Sequence, residues 1–181
     1  MPFPLPLRTD RLLLRLHRPD DLDWVFSVHS RPDVARFLLE GPWSEARAAE
    51  MLDKRVSRTD LDGEAGAVAL IVEHAGEPIG DISLWLTDRE RRVAEIGWVL
   101  DPAHTGHGFG REAVRAALAL GFEHGRLHRI VAQMDARNSP SARLADAVGM
   151  RREAHFRQDF WCKGEWTDSL VYAALASDHS P

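Results

Sequence analysis

The sequence lacks the residues that build disulfide frameworks, multi-cysteine metal sites and membrane spans. Its 181 residues include one cysteine, Cys162, so no internal disulfide can form. No stretch approaches the roughly 18 uninterrupted apolar residues of a membrane-spanning helix. The opening residues 1–7 are short and broken by prolines, without the charged start and long apolar run of a signal peptide. We therefore expect a cytoplasmic protein with no membrane partner.

The chain also has little excess charge. Its formal net charge is −5 and its pI is near 6.0, which predicts no general attraction to nucleic acid and mildly favours a cationic partner. Tyrosine and lysine are scarce: the chain has Tyr172, Lys54 and Lys163 and no others. With 44% hydrophobic and 28% charged residues, the composition is typical of a globular protein, and the length predicts one domain over residues 1–181.

Hydrophobic periodicity and turn residues predict an α/β chain. The order is a strand, two helices, three strands, a helix, a strand, a helix and a final hairpin. The predicted strands span residues 12–16, 67–72, 79–87, 93–100, 130–136, 156–162 and 167–173. We expect Ser44 to cap the second helix and Ser139 the fourth, because short polar side chains accept from free backbone amides. We expect Gly125 to end the third helix in a left-handed conformation.

A glycine-rich loop after the strand 93–100 carries the strongest functional signal. Gly106, Gly108 and Gly110 precede a helix, so several backbone amides can turn toward one anion, and Arg111 adds a positive charge. The spacing G-x-G-x-G departs from the dinucleotide-binding G-x-G-x-x-G, and the Gly-Lys-Ser/Thr of a P-loop is missing. A phosphate or pyrophosphate is the natural ligand. The alternative is a tight strand-to-helix turn without a ligand.

A second polar segment follows the strand 130–136. Asn138 and Ser141 lie between that strand and a short helix. Their side chains can cap the helix, and at the end of a strand they can equally hold a polar linear ligand. The sequence leaves both interpretations open.

Four segments taken together resemble the GNAT superfamily of N-acetyltransferases, which use acetyl-coenzyme A. They are Thr9-Asp-Arg-Leu-Leu-Leu-Arg15, Glu95-Ile-Gly-Trp-Val-Leu100 with Gly106-His-Gly-Phe-Gly-Arg-Glu-Ala113, Asn138-Ser-Pro-Ser-Ala142 through Val148-Gly-Met150, and Gly164-Glu-Trp-Thr-Asp-Ser-Leu-Val-Tyr172. The first and last segments resemble the RimJ/RimL type, which acetylates protein N-termini. The resemblance implies one GNAT-like domain with a mixed, mostly antiparallel sheet flanked by helices. It also implies that the sheet is splayed between the fourth and fifth predicted strands.

The resemblance also implies a cofactor site. Backbone groups of Trp98, Val99 and Leu100 would bond pantetheine as an added strand would. Asn138 and Ser141 would contact the pantetheine arm and the sulfur end. The residues expected around the pyrophosphate are Thr105, Gly106, His107, Gly108, Phe109, Gly110 and Arg111. Thr105 departs from the Gln, Arg or aromatic residue usual in the family.

Catalysis must differ from that of many relatives. Ala145 stands where they have a tyrosine general acid, so any proton donor is Ser141, water or nothing. Glu95 matches a glutamate that serves as base in some relatives, and a carboxylate suits that task. The alternatives are a solvated or ion-paired glutamate at 95 and a purely structural serine at 141. We expect an oxyanion donor among the backbone amides near Val99.

These observations predict an acetyltransferase that moves the acetyl group of acetyl-coenzyme A directly to a primary amine. The predicted acceptor is a peptide or protein α-amine, and an aminoglycoside or polyamine is the alternative within the class. A coenzyme A-binding module with little turnover is the alternative outside it. The histidines show no metal-binding spacing, so we expect no metal. Relatives suggest a homodimer as a further hypothesis.

Overall fold

The computed structural model describes residues 3–178, which contain one mixed sheet of nine strands. The strands are β1 (Leu7–Arg8), β2 (Leu12–Leu16), β3 (Thr59–Asp60), β4 (Ala67–His74), β5 (Glu77–Asp88), β6 (Val93–Leu100), β7 (Arg129–Asp135), β8 (Arg151–Cys162) and β9 (Glu165–Leu175). The sheet order is β1-β2-β4-β5-β6-β7-β9-β8, and β3 also pairs with β4. Every pair of neighbours is antiparallel except β6 and β7, which are parallel.

Helices cover both faces of this sheet. They are α1 (Leu22–His29), α2 (Pro32–Ala35), α3 (Glu45–Val56), α4 (Phe109–Ala119) and α5 (Ser139–Ala147). The apolar face of α4, including Val114 and Leu118, packs with Leu84 and Ile96 in the main core. On the opposite face, α1 and α3 form a smaller core of their own around Val25, Ala48 and Leu52. Because successive side chains of a strand point to opposite faces, one sheet contributes side chains to both cores.

The sheet divides between its two parallel strands. β6 pairs with β7 over three positions, from Val93 opposite Arg129 to Glu95 opposite Val131. Beyond Glu95, β6 pairs with β5 alone, and β7 pairs with β9 through Asp135. The predicted splay is therefore confirmed, and Glu95 lies where the two strands separate.

All the predicted strands and helices are present, with differences at their ends. β8 begins five residues earlier than the predicted strand, at Arg151, and both β8 and β9 are longer than expected. The short elements β1, β3 and α2 escaped prediction because two- to four-residue segments carry too little periodicity.

The predicted cap at Gly125 is wrong. Its φ is −74°, and the helix continues past α4 as a π turn over Leu120–His124, with the left-handed residue at Arg126 (φ 49°). Gly125 is required by close packing, because a Cβ there would lie 2.6 Å from the carbonyl oxygen of Gly121. A steric conflict with Gly121, and not a positive φ, therefore excludes a side chain at position 125.

The predicted caps at Ser44 and Ser139 have different outcomes. Ser44 accepts a hydrogen bond from the Arg47 amide at 3.2 Å, as expected. Ser139 is wrong as a cap: it is the first helical residue of α5, and Asn138 Oδ1 accepts from the Ser141 amide at 3.2 Å. Adjacent short polar residues compete for the same role, and the backbone path decides between them.

A buried polar cluster joins the α1–α3 layer to the sheet. His29 Nε2 lies 3.1 Å from Asp81 Oδ2, and Arg55 contacts the same oxygen at 3.4 Å. Trp43 stacks on His29 with the ring centroids 4.0 Å apart. Burial alone would raise the pKa of Asp81, but Arg55 and His29 hold it well below its usual range. Each charge is therefore compensated where it is desolvated.

His17 is the titratable side chain of this region that favours its neutral form. Both of its ring nitrogens are buried without a hydrogen-bond partner among the described residues, and burial lowers its pKa from 6.5 to about 4. As the pH falls below 6.5, the unfolded chain therefore binds a proton before the folded one does. The stability that depends on neutral His17 is complete above pH 6.5 and is lost progressively toward pH 4.

We predict that His17→Leu reduces the acid sensitivity of folding. Between pH 7 and pH 5 the native chain should lose about 2 kcal/mol more free energy of unfolding than the variant does. Urea denaturation at the two pH values measures the difference. His124→Leu, at an exposed position, is the control and should behave as the native chain. Equal losses in native chain and His17→Leu would contradict the prediction.

Candidate active site

The splay between β6 and β7 opens into three cavities that share walls. The cofactor-side cavity, about 260 Å³, is lined by Leu100, Thr105 and Pro140. The central cavity, about 390 Å³, shares Trp98, Val99, Asn138 and Ser141 with it. The outer cavity, about 280 Å³, shares Glu95, Gln133 and Met134 with the central one. Together they extend from Thr105, directly before the glycine loop, to the far end of the β8–β9 hairpin.

The glycine loop presents free backbone amides. The amides of Gly106, His107 and Gly108 donate no hydrogen bond to any residue within 3–178. In α4 the amides of residues 109–111 precede the first intrahelical hydrogen bond, which the Glu112 amide donates to the Gly108 carbonyl at 3.1 Å. Gly106 and Gly108 have φ values of 83° and 79°, a conformation that favours glycine. Consecutive free amides at a helix start form a concave anion site, so the loop fits a phosphate or pyrophosphate group.

Arg11 holds this loop in place, a contact that the sequence did not reveal. Its guanidinium donates to the His107 carbonyl at 2.9 Å and pairs with Glu112 at 2.7 Å. In a trans peptide the carbonyl and the next N–H point in opposite directions, so the Gly108 amide points away from Arg11. Thr9 Oγ1 donates to the same Glu112 at 2.6 Å. The opening Thr9–Arg15 segment therefore orients the anion cradle.

The remaining loop residues divide between packing and exposure. The Phe109 ring is buried in the main core, which leaves its amide as the group that can face a ligand. A Cβ on Gly110 would lie 2.4 Å from Leu100 Cδ1, so glycine lets α4 start directly against the end of β6. The Thr105 hydroxyl donates to the Pro102 carbonyl at 2.9 Å. His107 and Arg111 are exposed beside the cradle.

Trp98, Ser141 and Asn138 bridge the divided strands at the middle of the splay. The Trp98 indole donates to Ser141 Oγ at 3.3 Å across the gap between β6 and α5. Because the serine oxygen accepts this bond, its own proton remains free for another partner. Asn138 uses its Oδ1 as the cap of α5. The capping interpretation of Asn138 therefore holds, and the asparagine also lines the central cavity.

Glu95 is the carboxylate at the point of separation. It shares one sheet face with Gly97 and Val99, as predicted, and lies opposite Trp85 on β5. No hydrogen bond or ion pair to its side chain occurs in the described chain, so the salt-bridged interpretation fails. Burial raises its pKa. A half-buried carboxylate with a raised pKa, facing a cavity, is suited to accept a proton from an amine.

Neither Ala145 nor Tyr172 supplies an acid in the cleft. Ala145 is fully buried in the main core. Tyr172 is buried on β9 beside Asp146, lines none of the three cavities, and has its pKa raised by burial. Ser141 is consequently the hydroxyl-bearing residue that lies on both the cofactor-side and the central cavity.

No group of three or more potential metal-ligating side chains comes together within residues 3–178. None of the helices in this range combines the length and apolarity needed to cross a bilayer.

An anion cradle at one end of a split sheet and a half-buried carboxylate at the split are suited to acyl transfer. A phosphate-bearing carrier fits the cradle, a linear arm fits the splay, and an amine can approach Glu95 from the outer cavity.

Comparison with known proteins agrees with this class and names it. The model of the Acetyltransferase (GNAT) domain family matches residues 11–151. The chain belongs to this family, and it is an acetyl-coenzyme A-dependent acyltransferase. It is 29% identical to the uncharacterized N-acetyltransferase p20 of Bacillus licheniformis, over 96% of the chain and 98% of that protein. A GNAT acetyltransferase structure from Bacillus anthracis matches with a TM-score of 0.85 and 30% identity, covering 98% of this chain and 99% of that one.

We predict that a negative charge at position 106 blocks coenzyme A. A Cβ on Gly106 meets no atom within 4 Å, so Gly106→Asp and Gly106→Asn share the same strain and differ in charge. The aspartate should weaken coenzyme A affinity about tenfold or more relative to asparagine, because its carboxylate would repel a pyrophosphate bound by the loop amides. Isothermal titration calorimetry measures the coenzyme A affinity of each variant. Equal coenzyme A affinities of the two variants would show that the loop is not part of the cofactor site.

Arg11 provides a second test of the cradle. Arg11→Met should weaken coenzyme A binding about tenfold, because the His107 carbonyl loses the charged donor that fixes the loop. Arg8→Met, at an exposed position on β1, is the control and should bind as the native chain does. Native affinity in Arg11→Met, measured by the same titration, would show that the loop holds its shape without this contact.

Proposed function

We propose that this acetyltransferase acts on the α-amine of a peptide or protein N-terminus, as the RimJ/RimL type does. The observation that carries the proposal is the charge pattern of the acceptor side. Glu95 is the carboxylate on the central and outer cavities that lacks a cationic partner among residues 3–178. One unpaired carboxylate matches one ammonium group.

Each of the other carboxylates on these walls contacts a cationic side chain of the protein. Arg137 contacts Asp135 at 2.7 Å and Glu165 at 2.9 Å. Asp81 is held by His29 and Arg55. A polyamine carries several charges at fixed spacing and needs several free carboxylates to be held. The walls therefore favour a mono-ammonium acceptor.

The rim of the outer cavity is apolar. Leu39 is 73% exposed and Phe160 is 41% exposed, and both line this cavity. Exposed apolar side chains at the mouth of a polar site suit an acceptor whose remainder buries apolar surface. A peptide that continues from its α-amine over this rim meets that requirement better than a sugar or a polyamine.

The chemistry follows from the residues at the split. Bound acetyl-coenzyme A supplies a thioester. Glu95 takes the proton of the incoming amine, directly or through a water molecule. Its raised pKa makes the carboxylate a stronger base for this proton transfer. A backbone amide near Val99 donates to the oxyanion. Ser141, polarised by the Trp98 indole, donates to the sulfur that leaves. Ala145 excludes the tyrosine route.

Structural and curated relatives support two acceptor classes. RimL, an α-N-protein acetyltransferase of ribosomal L7/L12, has the same fold with a TM-score of 0.83 at 17% identity. The spermidine N(1)-acetyltransferase of Vibrio cholerae is 24% identical over 159 residues, which favours a polyamine as the second candidate. A homodimer stays a prediction.

An acceptor panel tests the proposal. The protein is mixed with acetyl-coenzyme A and a peptide with a free N-terminus, the same peptide blocked at its N-terminus, spermidine or an aminoglycoside, and free thiol is measured. We expect the highest kcat/KM with the free peptide and none with the blocked one. Preference for spermidine would establish the second candidate. Coenzyme A binding without turnover on any amine would establish a binding module.

Glu95→Gln tests the base. At low pH, where the amine is protonated, the variant should lose about a hundredfold in kcat/KM, and the deficit should shrink as the pH rises and the amine deprotonates by itself. Glu165→Gln is the matched control, because this glutamate lines the outer cavity but pairs with Arg137. Rates are compared from about pH 6 to pH 10. A native pH profile in Glu95→Gln would exclude the base role.

A further inference from the structure

The outer cavity lies between two segments that are far apart in sequence. One is the wall segment, residues 36–39, which follows α2 and contributes Phe37, Leu38 and Leu39. The other is the hairpin tip, residues 160–165, where β8 turns into β9. No strand pairing joins the two segments. Side chains must therefore fix the width of the opening.

Lys163 makes the strongest contact between them. Its Nζ donates to the carbonyl oxygens of Ala35 and Arg36, each at 2.8 Å. The Ala35 carbonyl, at the end of the four-residue helix α2, also accepts a hydrogen bond from the Leu38 amide at 3.1 Å, whereas no backbone amide within residues 3–178 donates to the Arg36 carbonyl. An ammonium group at the C-terminal end of a helix is electrostatically favourable. The contact therefore joins two backbone carbonyls at the end of α2 to one ammonium group of the hairpin tip.

The turn holds Lys163 in a backbone conformation that is unfavourable for a lysine. Lys163 and Gly164 form a two-residue turn with φ values of 50° and 85°. Such turns favour Asn-Gly or Gly-Gly, and a lysine with positive φ is disfavoured. The adjacent Cys162 also meets the wall segment, with Sγ 3.5 Å from the Leu39 carbonyl oxygen. Cys162 and Lys163 both line the outer cavity.

We propose that Lys163 is a positioning residue that clasps the wall segment to the hairpin tip and so sets the opening through which the acceptor reaches Glu95. The ammonium group does not take part in the chemistry. It holds the apolar rim at the separation that fits the acceptor chain. The inference rests on the proposed function for the identity of that acceptor, but the clasp itself can be measured without an acceptor.

Kinetics of three variants test the acceptor side. Lys163→Met should raise the acceptor KM about tenfold, with kcat and coenzyme A affinity near native values, because the charged hydrogen bonds are lost outside the reacting centre. Lys163→Arg keeps a charged donor and should restore most of the loss. Lys54→Met replaces the other lysine, which pairs with Glu50 on α3, and should leave KM unchanged. A native KM in Lys163→Met, or an equal loss in Lys163→Arg, would overturn the proposal.

Cys162 provides a readout that does not depend on the acceptor. It is the one cysteine of the chain, so alkylation reports on this junction alone. Without acceptor, Lys163→Met should react several-fold faster than the native chain and Lys54→Met at the native rate. A native alkylation rate in Lys163→Met would refute the clasp, whatever amine proves to be the acceptor. Faster alkylation combined with a polyamine preference would retain the clasp and reject the peptide substrate.

Discussion

The structure depends on the early end of the parallel ladder between β6 and β7. Three residue pairs join the two strands. After Glu95, β6 is paired with β5 alone, and β7 is paired with β9. The edge of β6 that faces the gap then carries backbone groups without strand partners, which must be satisfied by water or by a ligand that imitates a strand. A linear, amide-containing molecule is suited to that position. The split thus creates a binding site and places a carboxylate at its apex.

Two different kinds of support keep the split functional. On the cofactor side, the anion cradle is held by contacts from the start of the chain, where Arg11 and Thr9 meet Glu112. Tight packing of Gly110 on Leu100 brings the helix start to the strand end. On the acceptor side, Asp81 on the wall of the central cavity contacts both Arg55 and His29. Among the carboxylates on the central and outer cavities, Glu95 is the one without a cationic partner within residues 3–178, and the proposed preference for a single ammonium group rests on this difference.

Several side chains have roles that local sequence does not indicate. Gly125 has the appearance of a helix terminator, but it is needed because Gly121 passes 2.6 Å from where its Cβ would be. Arg11 lies in a segment recognisable as a family feature, yet its contact with His107 joins residues 96 apart in the sequence. Lys163 is in a turn, and its partners are 127 and 128 residues away. Such distances cannot be deduced from periodicity, which reports on neighbours along the chain.

The sequence by itself determined the order of the longer elements, the glycine loop before α4, the position of Glu95 on a central strand and the absence of the usual tyrosine at position 145. These depend on local properties: the alternation of apolar residues, the conformational freedom of glycine and the identity of a side chain. Tertiary structure alone decided that Glu95 has no partner, that Asp135 and Glu165 share Arg137, and that Ser141 meets Trp98 across the split. The physical reason is that burial and ion pairing arise when distant segments pack together, and these contacts fix which charges remain available for chemistry.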